Sequence, residues 1–221
     1  MSDFYTEDDL AESAYARILL TGDPKTGKTT SVLSTAPGPI AVLNCDGPGA
    51  PMAAKRHGAK NLKIKDVTCV ADWISGVKAA VKLAQAGEVS TIVVDTLTML
   101  VNNVIAHEFG NKLSGFDIWR ETKQKSIGGL MALLNAPAHV FLLAHYDIKD
   151  GQIMLEGSMK GGVPAMVHDR VHLTFDPKKT PDRVFHVGPS ASGLSGGRHS
   201  DENIQIEANA SLLLETLGYQ L

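Results

Sequence analysis

Residues 22–29 read Gly-Asp-Pro-Lys-Thr-Gly-Lys-Thr, a complete G-x-x-x-x-G-K-[ST] loop, and the apolar run Ile18-Leu19-Leu20 stands just before it. No other feature constrains the fold as tightly. The spacing needs a strand, a loop whose backbone N–H groups turn inward around an anion, and a helix that opens on the last Gly-Lys-Thr. Ala16 to Thr21 supplies the strand, and Gly27 to Thr35 supplies a helix that Pro37 stops. The chemistry fits phosphate: Lys28 reaches the β and γ oxygens of a nucleoside triphosphate, and the Thr29 hydroxyl ligates Mg²⁺. Gly22, Asp23, Pro24, Lys25, Thr26, Gly27, Lys28, Thr29 and the adjoining Thr30 are therefore the nucleotide-binding candidates, with ATP and Mg²⁺ as the expected cofactors.

The rest of the chain alternates in the way such a loop requires. Ile40 to Asn44 reads as a strand followed by the turn Asp46-Gly47-Pro48-Gly49, Ala50 to His57 as a short helix, and Leu62 to Ile64 as an edge strand. Trp73, Ile74, Val77, Ala80, Val81 and Ala84 recur at helical spacing over Val70 to Ala86. Ile92-Val93-Val94 is a buried strand ending in Asp95, and Leu97, Leu100, Val101, Val104 and Ile105 mark a helix that Gly110 ends. A further helix runs through Ile127 to Leu134, and Val140 to Ala144 is a central strand closed by His145. Beyond Tyr146 the strands shorten (153–155, 171–175 and 183–187), and a last helix covers Ala208 to Leu217. The expectation is an α/β fold: a mostly parallel central sheet flanked by helices, with a C-terminal antiparallel hairpin extension.

Residues 1–13 read as a mobile acidic arm and residues 14–221 as one domain, because no low-complexity linker divides them. The formal charge is −3, and Asp3, Glu7, Asp8, Asp9 and Glu12 of the arm account for the acidity, so the body is not strongly basic. Nucleic-acid contacts, if made, come from local loops or from repetition in an oligomer. Two cysteines, Cys45 and Cys69, no signal peptide and no membrane-length apolar run point to a cytoplasmic protein with free thiols and no membrane partner.

Ser90 to Thr96 has the form of a strand whose terminal carboxylate, Asp95, holds Mg²⁺ opposite the Lys28 loop. Thr96 follows it, where ATPases with an Asp-Glu pair carry their water-activating Glu, so the base lies elsewhere. Asp46, just past the second strand, is the candidate, its alternative being a plain turn residue before Gly47. His145 ends a central strand where it can sense the γ-phosphate. His139, His168 and His172 have no companion ligands at metal spacing and are assigned to packing or surface.

Together, the loop at 22–29, the strand-end Asp46, Val93-Val94-Asp95-Thr96-Leu97-Thr98 and Leu142-Leu143-Ala144-His145 resemble the RecA-like ATPases, and more narrowly the phage-encoded core-only single-strand annealing ATPases. The similarity runs over about residues 16 to 198, with Asp46 where that family commonly carries Glu. The resemblance implies a P-loop NTPase with a RecA-like core that binds single-stranded DNA, promotes annealing or recombination, and assembles with itself as a ring or filament. A single-strand-binding protein is an implied further partner, and a bacterial cytoplasm the implied location. It further implies two DNA-binding loops, Gly110 to Asp117 and Lys149 to Val163, with Lys112, Lys149 and Lys160 on the phosphates and Gly157, Gly161 and Gly162 allowing close approach. Ser195-Gly196-Gly197-Arg198 resembles the family's late basic motif, which makes Arg198 a candidate for reaching a neighbour's γ-phosphate, with Lys178, Lys179 and Arg183 in reserve.

Other P-loop functions fit less well. A nucleotide or small-molecule kinase needs an arginine-rich lid, and the arginines here are few and scattered. A partitioning switch carries a signature lysine where Asp23 stands, and a helicase loader or motor carries the Glu that Thr96 replaces.

Overall fold

The computed structural model describes residues 15–113, 115–147, 151–155, 158–190, 193 and 195–221. The expected arm over 1–13, Lys149 and Gly157 lie outside the described residues. The first half is a regular alternation: β1 (Arg17–Gly22), α1 (Lys28–Thr35), β2 (Ile40–Asn44), α2 (Gly49–Arg56), β3 (Leu62–Asp66), α3 (Val70–Gln85) and β4 (Thr91–Asp95). Residues 97–110 are helical throughout, as α4 (Leu97–Met99), a π-helical stretch (Leu100–Ile105) and α5 (Ala106–Gly110). Then come α6 (Phe116–Leu134), β5 (His139–Asp147), β6 (Gln152–Ile153), α7 (Met159–Met166), β7 (Asp169–Phe175), β8 (Arg183–Val187), β9 (Gly196–Gly197), β10 (Ile204–Glu207) and α8 (Ala210–Thr216).

Six strands run parallel in the spatial order β7-β1-β5-β4-β2-β3, and β8 and then β10 extend the β7 edge antiparallel. The expected mostly parallel sheet with an antiparallel C-terminal extension is the fold observed. The extension joins the sheet through β7, which pairs antiparallel with β8 and parallel with β1, Ile18 beside Asp169 and Thr21 beside His172.

Alternate residues of the central strands feed two cores, as parallel strands buried on both faces require. Leu19, Ile92, Val94, Val140 and Leu142 face α3, α6 and α7, whereas Ile18, Leu20, Val93, Phe141 and Leu143 face α1 and α8. All ten are fully buried, and at about 1.5–3 kcal/mol for each such side chain they dominate the stability of the sheet. Trp73 locks α3 onto α6: it is fully buried, its Nε1 donates to the Lys125 carbonyl at 3.1 Å, and a Cβ at Gly129 would stand 2.4 Å from its ring. Only glycine fits there.

Two of the expected loops are shorter than the sequence suggests. Helix α6 begins at Phe116, and α7 begins at Met159, taking up the last part of the stretch between Lys149 and Val163 with Gly161 and Gly162 inside it. In the first half of α6 the inward positions are the polar Thr122 and Ser126 while Phe116 and Trp119 are exposed, so no buried apolar stripe announces the helix there.

Candidate active site

Strand register assembles the site. Gly22 of β1 lies beside His145 of β5, Asp95 of β4 beside Leu143, and Asn44 of β2 beside Asp95. The phosphate loop, His145, Asp95 and Asp46 thus leave the same end of four adjacent parallel strands. In open α/β sheets that carboxyl-terminal end is where ligands bind. A cavity of about 410 Å³ opens there, walled by Lys28, Thr29, Asp46, Thr96 and His145. The candidates proposed from separate parts of the chain face one space.

Gly27 turns the loop into α1 with φ of 101°, a left-handed conformation that favours glycine. It is also crowded, since a Cβ would meet Arg183 Nε at 2.7 Å. Arg183 donates from Nε to the Thr26 carbonyl at 3.0 Å, pairs with Asp182 at 2.8 Å, and lies 4.6 Å over the Phe175 ring. It is therefore engaged with the loop of its own chain. Sequence reading missed this role, since no local pattern links residues so far apart.

Lys28 is buried and donates to the carbonyls of Gly22 at 2.8 Å and Asp23 at 2.7 Å. Burial lowers its ammonium pKa to about 8, against the opposing pull of Asp95, Asp23 and Asp46. A nucleotide's β and γ oxygens would supply the charge that these carbonyls only partly replace.

Asp95 is fully buried. Its Oδ1 accepts from the Thr29 hydroxyl at 2.9 Å, while Oδ2 has no hydrogen-bond partner among the described residues. Burial pushes its pKa up to about 6, with Asp46 adding to the rise and Thr29 and Lys28 opposing it. A hydroxyl bonded to a carboxylate with an orphaned oxygen is a donor set that suits Mg²⁺, which binds through one or two protein oxygens, waters and substrate phosphates. The residues present fit that ion, and Thr29 and Asp95 would hold it.

Asp46 is exposed at the cavity wall. Asn44, which the sequence reading passed over, shapes its loop: Oδ1 accepts from the Asp46 amide at 3.3 Å, and Nδ2 donates to the Gly47 carbonyl at 2.9 Å and to Asp66 at 2.6 Å. An Asn just ahead of an Asp-Gly turn was the available signal. His145 is held by its amide, which donates to the Thr98 hydroxyl at 2.9 Å, and its Nδ1 is buried without a hydrogen-bond partner among the described residues. Burial and the nearby Lys28 lower its pKa, so the ring is neutral at physiological pH.

The remaining candidates lie apart. Arg198 donates its amide to the His168 carbonyl and to Asp169, at the opposite end of β1 from its own loop. Lys112 is paired with Glu108 at 2.7 Å, and Lys160 is exposed on α7 with no ion pair among the described residues. His168 and His172 are hydrogen-bonded to Tyr219 and Thr21, in keeping with their packing assignment, and both thiols are free. No described helix is long and apolar enough to cross a membrane.

A phosphate loop on β1 and a buried carboxylate on β4, with β5 and its His145 inserted between them, define a P-loop nucleoside triphosphatase. Residues 14–178, well over half of the chain, match the model of the AAA domain family, and the chain belongs to that family as a P-loop AAA-type ATPase domain. No curated protein matches it.

Proposed function

We propose that this ATPase domain is Mg²⁺-dependent, binds single-stranded DNA and promotes annealing or recombination of strands as an oligomer. The observation that carries the metal and hydrolysis reading is the orphaned Oδ2 of Asp95, buried beside Thr29 under a cavity that Lys28, Asp46 and His145 share. Lys28 binds the β and γ oxygens, and Thr29 and Asp95 fix the metal. Held there, Mg²⁺ would supply positive charge against the phosphates. Asp46 orients the attacking water and accepts its proton, and the His145 ring, which lines the same cavity, reads the presence of the γ-phosphate.

Support for the DNA reading is the resemblance in the phosphate loop, the Asp95-Thr96 pair and the strand-end His145, together with the cation of Lys160, which has no ion pair among the described residues. Lys112, already partnered by Glu108, is the weaker contact. Arg198 lies far from its own loop, so any part it takes in hydrolysis is at a neighbour's site. The test is ATP turnover over a titration of Mg²⁺ and protein, with and without single-stranded DNA. Turnover that needs the metal and rises with both DNA and protein concentration is expected. Turnover indifferent to DNA, with no oligonucleotide binding at low salt, would overturn the DNA reading and leave the ATPase standing.

A further inference from the structure

A second hollow, of about 280 Å³, lies beside the end of β1, between β7, the β5–β6 hairpin and α7. Its walls include Thr21, Tyr146, Gln152, Lys160 and Arg170, and no carboxylate among the described residues lines it. It sits where β7 departs from the apolar pattern of its neighbours. Val171 and Leu173 enter the core under α8, while Arg170, His172 and Thr174 alternate with them onto the other face. A polar strand face next to a packed core calls for partners. His172 Nδ1 has Thr21 Oγ1 at 3.0 Å, and His186 Nε2 has Thr174 Oγ1 at 2.8 Å. Arg170 has none: the residue is half-buried and its guanidinium makes no ion pair or hydrogen bond among the described residues. A cation with five donors left unengaged in a pocket that holds a second free cation is arranged for an anion from outside.

We propose that this hollow is a binding pocket for the phosphodiester backbone of a single nucleic-acid strand, with Arg170 and Lys160 as its cations. The assignment rests on the single-stranded DNA reading above and adds to it a site on β7 that the loop motifs do not reach. The pocket is also next to the phosphate loop. Thr21 lines it and immediately precedes Gly22, whose carbonyl Lys28 holds at 2.8 Å, and Tyr146 packs edge-on against His172 with ring centroids 5.1 Å apart. A strand seated here touches the segment that leads into the phosphate loop.

The experiment is fluorescence anisotropy of a labelled oligothymidylate with the full chain, Mg²⁺ and a non-hydrolysable ATP analogue, over a salt series. A fluorescent ATP analogue is titrated separately to show that each variant is folded and its loop intact. Arg170→Gln is expected to weaken oligonucleotide binding by about ten- to a hundredfold, the loss of one charge-assisted hydrogen bond or ion pair. The slope of log affinity against log salt should fall by about 0.7, one phosphate contact on a single strand. Lys160→Gln should do the same more weakly, Arg170→Lys should keep the slope, and ATP-analogue affinity should not move. If Arg170→Gln binds the oligonucleotide with wild-type affinity and slope, the pocket is overturned while the DNA reading survives. If the wild-type chain binds no oligonucleotide, both fall. If inorganic phosphate binds the wild-type chain and Arg170→Gln abolishes that binding while oligonucleotide affinity and slope stay at wild type, the pocket takes free phosphate and the nucleic-acid assignment is wrong.

Discussion

Two buried aspartates at opposite ends of the same sheet have opposite surroundings. Asp169, where β7 begins, is saturated: Oδ1 accepts the amides of Arg198 at 3.2 Å and His199 at 3.3 Å, and Oδ2 accepts from His199 Nδ1 at 2.8 Å and the Tyr219 hydroxyl at 3.2 Å. Beside it the Arg17 guanidinium gathers the carbonyls of Leu134, Ala136 and Ala138 at the end of α6. Asp95, where β4 ends, has one hydroxyl on one oxygen and no partner on the other among the described residues. Buried polar atoms are satisfied in nearly all native structures, so the exception needs a cause. Asp169 fastens the C-terminal segment to the sheet, whereas Asp95 keeps a binding capacity that the chain does not use up.

The contrast can be broken at the site end first. Lys28→Ala should lower ATP turnover by about a thousandfold or more, through loss of the charge on the transferred phosphate, while circular dichroism and cooperative melting are retained. Asp46→Asn should slow hydrolysis by about a hundredfold, the scale of a lost general base, with Mg²⁺–nucleotide affinity unchanged. An equal loss of affinity would show that Asp46 holds the metal and would erase the division between it and Asp95.

Arg183→Ala sharpens the comparison, because Arg183 stands at the site end but is already engaged by Thr26, Asp182 and Phe175. Its removal should weaken nucleotide binding only several-fold, about 1 kcal/mol for one bracing hydrogen bond, as measured by analogue titration. The smallest effect concerns pH. Asp95 is an acid whose folded pKa, about 6, stands above its ordinary 3.8. Its burial therefore costs no stability below the ordinary value, and the cost grows as pH rises from 3.8 and is complete above about 6. Over that window the melting temperature of the ligand-free wild type should decline relative to that of Asp95→Asn. Mg²⁺ affinity should rise over the same window, as the carboxylate ionises.

Much of the site was legible because its signals are local. Glycine and lysine spacing fixes the phosphate loop, an apolar run ending in an acid fixes Asp95, and an apolar run ending in histidine fixes His145. Which strands lie side by side is not local. Nothing within residues 169–175 says that this strand pairs with β1, so its parallel register, the Arg170 face and the pocket beneath it stayed hidden. The contact of Arg183 with the Thr26 carbonyl is hidden for the same reason. The start of α6 was lost for want of a buried apolar stripe, and α7 to a glycine-rich sequence, Met159-Lys160-Gly161-Gly162, that reads as a turn.

The central claim, that the unsatisfied end of the sheet is the nucleotide and metal site and the saturated end is frame, is tested most directly by thermal melting. Wild type, Asp95→Asn and Asp169→Asn are melted with and without Mg²⁺ and a non-hydrolysable ATP analogue. Asp95→Asn should melt above the ligand-free wild type at neutral pH, by about 2–4 °C for each kcal/mol of burial cost removed, and should lose the metal-dependent part of the ligand shift. Asp169→Asn should melt well below wild type yet keep the full shift. Destabilisation of Asp95→Asn to the level of Asp169→Asn, with the ligand shift intact, would contradict the claim.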